Sequence, residues 1–177
     1  AGRFPIASVF ELPFMAGNAT TNSQAVQEFG ELYLAEEFGE VHPLLWHAHG
    51  PGEIHVREKE IRRMEDMAGL KIRAPSRLIG EALDALGATS VFMPVPQVPE
   101  QISKGVIDGA VLPFEVTRSL KIPELVKSHT VLGGPRGLYT AVFFLGMNKA
   151  VWDGLPDDLK AIVNAAGGVP EAERIGA

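Results

Sequence analysis

The feature that most constrains the fold is an alternation of strand-like and helix-like hydrophobic patterns in the middle of the chain. The alternating segments are strand 71–74, helix 78–86, strand 90–93, a short helix between Pro96 and Gly105, and strand 106–112. A strand–helix–strand–helix–strand run places its strands parallel, with right-handed crossovers. In such sheets, ligands bind where the carboxyl ends of the strands meet the loops. The pattern therefore predicts an α/β fold with a ligand site at that edge.

The flanking regions predict more structure of the same class. Polar residues 17–23 end in groups suited to cap a helix, and helical spacing continues to about residue 38. The further predicted elements are strand 44–49, a tight loop at 50–52, a returning strand 54–56, helix 114–125, strands 130–132 and 138–147, a helix opening at 155 and a tail of helical composition at 169–177.

Composition narrows the possible partners. The 177 residues include 16 Lys plus Arg against 22 Asp plus Glu, and a net charge of −6 repels nucleic acid and anionic membrane surfaces. No run approaches the roughly 20 apolar residues that span a bilayer, so we expect a soluble protein that is not inserted in a membrane. The absence of cysteine excludes disulfides, thiolate metal sites and cysteine nucleophiles. Because the sequence begins without Met or a signal peptide, we expect that a leader was removed or that the chain is a fragment.

Three histidines near the loop at 50–52 are the pattern most typical of an enzyme. His47 and His49 alternate on one strand and therefore share a face, and His55 with Glu53 follows the turn. Together they could complete a zinc or iron site. The other interpretation is that these histidines bond loop backbone or line a polar pocket. It is favoured because no HExxH or comparable spacing is present.

Arg73 is unusual because it is a charged residue inside an otherwise apolar strand. It precedes the helix that starts near Ser76, so its guanidinium is expected at a strand end beside a helix amino terminus, where an anion is favoured. A guanidinium also matches a carboxylate with two parallel hydrogen bonds. The alternative is a surface ion pair with Glu100 or Glu115, and the spacing alone does not decide between them.

Residues after the buried strand 106–112 are further candidates. Phe114 follows Pro113 at a strand end, where an aromatic ring could stack on a ligand and Glu115 could orient Arg73. Plain packing is the commoner role for such a pair, and Phe14 carries the same ambiguity.

Several segments, taken in order, resemble the substrate-binding proteins of tripartite ATP-independent periplasmic (TRAP) transporters, the DctP-like family. The segments are 67–75, 86–89, 93–94, 103–110 and 147–159, with weaker likeness at 11–14 and 46–52. The resemblance runs from Phe10 to Gly168.

The resemblance implies a type II periplasmic-binding-protein-like fold of two α/β lobes. The expected division is residues 1–70 as a partial first lobe with crossing segments, 71–145 as the second lobe, and 146–177 as a return toward the first lobe. The chain would be incomplete at both ends. The implied function is a periplasmic receptor that closes on a small organic acid and delivers it to TRAP membrane subunits, with no reaction, metal or cofactor.

The resemblance also implies site residues. Arg73 matches the family's carboxylate-binding arginine, and Leu112, Pro113 and Phe114 fall where members contact ligand. Glu53 falls where some members carry a second basic residue, which favours a monocarboxylate with an apolar or aromatic body.

In the expected site, Arg73 binds the carboxylate of the ligand, and other residues form apolar walls, a floor and a polar selection point. A metal-dependent enzyme using His47, His49, Glu53 and His55 stays as the alternative, and an interaction domain without a cleft ligand is a third possibility. The expected apolar walls are Phe114 and Phe14, the floor is Met93 and Leu112, and polar selection comes from His49 or Glu53.

Overall fold

The computed structural model describes residues 4–15 and 17–177, which form two β-sheets flanked by helices. The strands are β1 (Val41–Ala48), β2 (Gly52–Val56), β3 (Lys71–Ala74), β4 (Thr89–Phe92), β5 (Gly109–Pro113), β6 (Ser128–Thr130) and β7 (Val142–Asn148). The α-helices are α1 (Ala19–Tyr33), α2 (Arg77–Ala85), α3 (Val98–Ser103), α4 (Phe114–Thr117), α5 (Lys149–Asp153), α6 (Asp157–Ala165) and α7 (Val169–Gly176). Short 3₁₀ helices occupy Ala7–Glu11, Met64–Met67, Val95–Gln97 and Ile122–Glu124.

The larger sheet has five strands in the order β4-β3-β5-β2-β6. Strand β3 runs parallel to both β4 and β5, which confirms the arrangement predicted from the central alternation. Strand β2 is antiparallel to β5 and β6. The fold is therefore mixed α/β, and the parallel part of the sheet carries the edge at which a ligand site was expected.

The smaller sheet pairs β1 with β7 in antiparallel register, with Trp46 opposite Phe144. Strands β1 and β2 do not form a hairpin, although the sequence pattern suggested a returning strand. The loop between them carries the chain from the smaller sheet to the larger one, and residues after Tyr139 carry it back. The loop between β1 and β2 is the first crossing, and the residues from Tyr139 to β7 are the second crossing. Together they bring both sheets to a common boundary. The division of the chain at residues 70 and 145 stays a prediction.

Alternation along β3 decides which side chains face which layer. Ile72 and Ala74 point into a core beneath α2 with Ile79 and Leu83, so Arg73 points to the opposite face. That face is covered by a second core, which contains Val98, Ile102, Ile107, Ala110, Leu112 and Ile122. A third core lies between α1 and β1 and contains Ala7, Val26, Leu34, Phe38, Trp46 and Ala48.

Several predicted boundaries were wrong. The helix expected over 114–125 is interrupted: α4 ends at Thr117, and Lys121, in a left-handed conformation with a φ of 54°, precedes the 3₁₀ helix Ile122–Glu124. The strand expected from residue 106 starts only at β5, because the Val106 N–H folds back to the Gln101 carbonyl at 3.0 Å. The strand expected from residue 138 starts at β7, since the residues before it form the crossing. In the part of the chain that the structure describes, no helix is long and apolar enough to cross a membrane.

The capping of α1 follows the sequence prediction. Asn18 precedes the helix in an extended conformation, and its side-chain oxygen accepts a hydrogen bond from the Thr21 N–H at 2.8 Å. This bond satisfies one of the amide donors left free at a helix start. The helix ends at Tyr33, five residues earlier than the helical spacing suggested.

Candidate functional site

Arg73 lies on the buried face of β3 and is only 4% exposed. Its Nε donates a hydrogen bond to the Met93 carbonyl at 3.0 Å, and its Nη1 donates to the Val111 carbonyl at 3.3 Å. These acceptors come from the end of β4 and from β5, so both neighbouring strands hold the guanidinium in place. Burial lowers the pKa of Arg73, because a charge is less well solvated there than in water. An arginine stays cationic even so.

The acids considered as surface partners of Arg73 are engaged elsewhere. Glu100 pairs with Lys104, and Glu115 accepts a hydrogen bond from the Gly50 N–H at 3.1 Å. Within residues 4–15 and 17–177, no acidic side chain forms an ion pair with Arg73. The ion-pair interpretation was therefore wrong. Two of the five guanidinium N–H groups are used by the carbonyls, and three remain for an anion.

A cavity of about 580 Å³ opens beside the guanidinium. It reaches the amino-terminal end of α2, where Ser76 is the residue before the first helical turn. The helix dipole and the cation both favour a bound anion at this point. The cavity is lined by Arg73, Pro75, Ser76, Arg77, Phe92, Met93 and Pro94.

A second cavity of about 710 Å³ lies between the two sheets. It shares Pro75, Ser76 and Arg77 with the first cavity, so the two adjoin at the start of α2. The wall from the smaller sheet and the amino-terminal segment is mostly apolar and aromatic, with Glu11 as its acidic member. That wall consists of Phe4, Pro5, Ala7, Ser8, Glu11, Phe38, Val142 and Phe144.

Tyr139 is a buried residue beside Arg73 that sequence analysis did not single out. Its hydroxyl donates a hydrogen bond to the Val111 carbonyl at 3.2 Å, the same oxygen that accepts from Arg73. Burial raises the pKa of Tyr139, so the phenol stays protonated as a donor. No local pattern distinguishes this tyrosine, because its contact depends on the second crossing of the chain.

His49 is fixed in one neutral form at the first crossing. Its Nδ1 donates to the Gly50 carbonyl, and its Nε2 accepts from the Ala141 N–H at 3.1 Å. Burial lowers the pKa of His49, since the charged ring is poorly solvated. The ring packs edge-on against Tyr139, with 5.3 Å between centroids. His49 thus ties the two crossings together.

His55 and Phe114 form a separate cluster on β2, α4 and β6. His55 Nε2 donates to the Leu112 carbonyl at 3.0 Å, so its Nδ1 accepts from His129 Nδ1 at 2.6 Å. Phe114 is 46% exposed and lies edge-on to His55 at 5.2 Å. Phe114 lines neither of the two cavities.

The other predicted site residues also lie outside both cavities. Phe14 is 54% exposed, with its N–H bonded to Leu138 and its carbonyl bonded to Arg136. Glu53 accepts a hydrogen bond from the Leu132 N–H at 3.3 Å, and burial raises its pKa. The Leu112 side chain packs in the core under α3, and Pro113 is buried opposite Gly52. Of the predicted set, the structure brings Arg73 and Met93 together.

The predicted metal constellation is not assembled. His47 lies on β1 and stacks on Phe143, whereas His55 lies in the larger sheet with its ring nitrogens bonded to protein. The expected hairpin was wrong: β1 and β2 belong to different sheets, so their histidines do not share one face. Across the described ranges, no group of three or more His, Cys, Asp or Glu residues could hold a metal ion.

The solved structures that superpose on this chain are two-lobe periplasmic binding proteins, and the two sheets joined by two crossings correspond to about half of such a protein. Residues 1–173 match the family described as bacterial extracellular solute-binding protein, family 7 (DctP), and the chain belongs to that family. A solute-binding protein from Albidiferax ferrireducens is 31% identical over 124 residues, which are 70% of this chain and 35% of that protein. The periplasmic C4-dicarboxylate-binding protein DctP of Rhodobacter capsulatus is 34% identical over 97 residues, 54% of this chain and 28% of that protein.

Solved structures of TRAP solute-binding proteins superpose on nearly the whole chain. One from Rhodoferax ferrireducens, in complex with copurified benzoate, is 43% identical with a TM-score of 0.95. One from a marine metagenome, specific for aromatic acids and co-crystallised with 3-hydroxybenzoate, is 44% identical with a TM-score of 0.95. Each superposition includes 99% of this chain and 55% of the solved protein. It thus spans about half the length of these structural relatives.

Proposed function

We propose that this chain is the ligand-holding part of a TRAP-type solute-binding protein that captures a small aromatic monocarboxylate. The observation that carries the proposal is the buried Arg73 guanidinium, which two backbone carbonyls position and which has no acidic partner in the described residues. A cation buried without a counter-ion is costly, and an arriving carboxylate removes that cost with charge-assisted hydrogen bonds.

The ligand class is supported by the cavity and by the relatives. The larger cavity presents Phe4, Phe38 and Phe144 to its interior, which suits an apolar ring. The two relatives at 43% and 44% identity hold benzoate and 3-hydroxybenzoate, and a Bordetella bronchiseptica protein at 30% identity holds both enantiomers of mandelate. Each of these ligands joins one carboxylate to an aromatic ring.

The proposed roles follow the geometry. Arg73 binds the carboxylate, and Met93 contributes the carbonyl that orients it. Closure of the two sheets around the cleft would trap the ligand and exclude water from the ion pair. In this proposal the remaining predicted residues act by holding the strand end and the crossings in place; they are Leu112, Pro113, Phe114, Phe14, His49 and Glu53.

The wider setting is also a proposal. Members of this family are extracellular binding proteins, and we propose a periplasmic receptor that passes its ligand to TRAP membrane subunits without chemical change. In this proposal the lobe boundaries lie near the two crossings, beside Gly50 and Thr140, and replace the division at residues 70 and 145 that the resemblance implied.

A ligand panel tests the proposal by titration calorimetry. Benzoate should bind at one site per chain, and benzamide, which has the same shape without the charge, should bind at least about tenfold more weakly. Succinate should also be weaker than benzoate, because its second carboxylate enters an apolar wall. Tighter binding of succinate than of benzoate, equal binding of benzamide, or no binding of any carboxylate would overturn the proposal.

A further inference from the structure

Glu11 places a carboxyl group in the larger cavity. It is the last residue of the 3₁₀ helix Ala7–Glu11 and lines that cavity together with Val142. The cavity also includes the start of α2, from Pro75 to Leu78, and part of this segment lines the Arg73 cavity as well. A ligand anchored on Arg73 that extends past the start of α2 would therefore enter the cavity that holds Glu11.

Burial raises the pKa of the Glu11 carboxyl, while the Ser76 hydroxyl, the amino-terminal charge and the Val142 backbone lower it by less. The Ser76 oxygen is buried and completes no hydrogen bond of normal geometry. The neighbouring Arg77 is paired with Glu81 at 2.8 Å, and no described Lys or Arg forms an ion pair with Glu11. A ligand hydroxyl that enters the cavity beside these two groups would donate to Glu11 and accept from Ser76.

We infer that Glu11 determines which aromatic acids bind. Its carboxylate accepts a hydrogen bond from a hydroxyl on the ligand ring, beside the Ser76 side chain. The same carboxylate repels ligands that carry a second carboxylate. This inference rests on the proposed function, because the ligand must first be anchored on Arg73. A carboxylate that faces a ligand hydroxyl forms a charge-assisted bond, whereas a carboxylate that faces another carboxylate is destabilised by like charge in a partly dehydrated site.

The test compares three ligands that differ at one ring position: benzoate, 3-hydroxybenzoate and isophthalate (benzene-1,3-dicarboxylate). Dissociation constants are measured for the wild type, for Glu11→Gln and for Glu100→Gln. The last is a matched control because Glu100 is an acid paired with Lys104 and lines neither cavity. Glu11→Gln keeps the shape of the side chain and removes its charge.

The wild type should bind 3-hydroxybenzoate more tightly than benzoate and isophthalate more weakly. Glu11→Gln should reduce the preference for the hydroxyl by roughly tenfold, strengthen isophthalate by roughly tenfold, and change benzoate by less than about threefold, since only the charge-assisted part of the bond is lost. Glu100→Gln should leave both ratios unchanged.

The outcomes separate the two claims. If benzoate binds but Glu11→Gln leaves both ratios at their wild-type values, the role of Glu11 is refuted and the proposed function stands. The same holds if the wild type does not distinguish the three ligands. If the wild type binds no benzoate, the proposed function is refuted, and the role of Glu11 with it.

Discussion

Replacement of Arg73 should remove ligand affinity in a graded way that follows the number of hydrogen-bond donors. In the wild type, two of five N–H groups are bonded to the Met93 and Val111 carbonyls, and three remain. Two of those can reach a carboxylate as a bidentate pair. A lysine has three donors, so after two carbonyl bonds it offers one. A glutamine offers no charge at all.

The magnitudes follow from these donors. Hydrogen bonds to charged groups contribute about 1.5–3 kcal/mol each, so Arg73→Gln should lose on the order of 3–5 kcal/mol, or roughly 150- to 5,000-fold in Kd. Arg73→Lys keeps the charge and one bond, and should lose about 1.5–3 kcal/mol, roughly 10- to 150-fold.

Titration calorimetry with benzoate measures both losses, and thermal unfolding without ligand shows that each variant is folded. Glu100→Gln is a matched control, because that acid pairs with Lys104 away from the cleft and should not affect affinity. If folded Arg73→Gln bound benzoate within about threefold of the wild type, the donor argument and the assignment of Arg73 would both be wrong.

Two predictions concern stability. Gly52→Ala should lower the free energy of unfolding by about 1–3 kcal/mol or more, because the new Cβ would lie 1.9 Å from the Tyr139 ring. Urea unfolding measures this loss. Gly133→Ala is the control: its Cβ would have no atom within 4 Å, so its free energy of unfolding should change little. The buried His49 ring has a lowered pKa, so the unfolded state takes up its proton first as pH falls below the ordinary histidine pKa of about 6.5. The free energy of unfolding should therefore decrease from pH 7 toward pH 5. His49→Gln should show a shallower decrease, and an equally steep one would contradict the assignment.

The central α/β unit could be predicted because its signals are local. Strand β3 was predicted with its observed bounds, since apolar alternation, the Pro75 that follows and the next helical pattern all lie within a few residues. The parallel pairing follows from the order of elements alone. Arg73 was identifiable for the same reason: a cation in an apolar strand is visible without any knowledge of its neighbours.

The rest of the site depends on contacts between distant parts of the chain. The predicted hairpin at Gly50–Gly52 was wrong because β2 pairs with β5 and β6, and these partners lie more than 50 residues further along the sequence. Glu11 and Tyr139 were not singled out because their neighbours come from distant parts of the chain: Glu11 lines a cavity with Val142, and Tyr139 donates to the Val111 carbonyl. Phe114 was placed at the right strand end, but its side chain turned toward His55 instead of the cleft.

The most direct test of the central claim is a crystal structure of this protein with bound benzoate. The account predicts both carboxylate oxygens at about 2.7–2.9 Å from Arg73 nitrogens, with the Met93 and Val111 bonds retained and the ring against the aromatic wall of the larger cavity. Benzoate bound away from Arg73, with the guanidinium still bonded only to the two carbonyls, would contradict it.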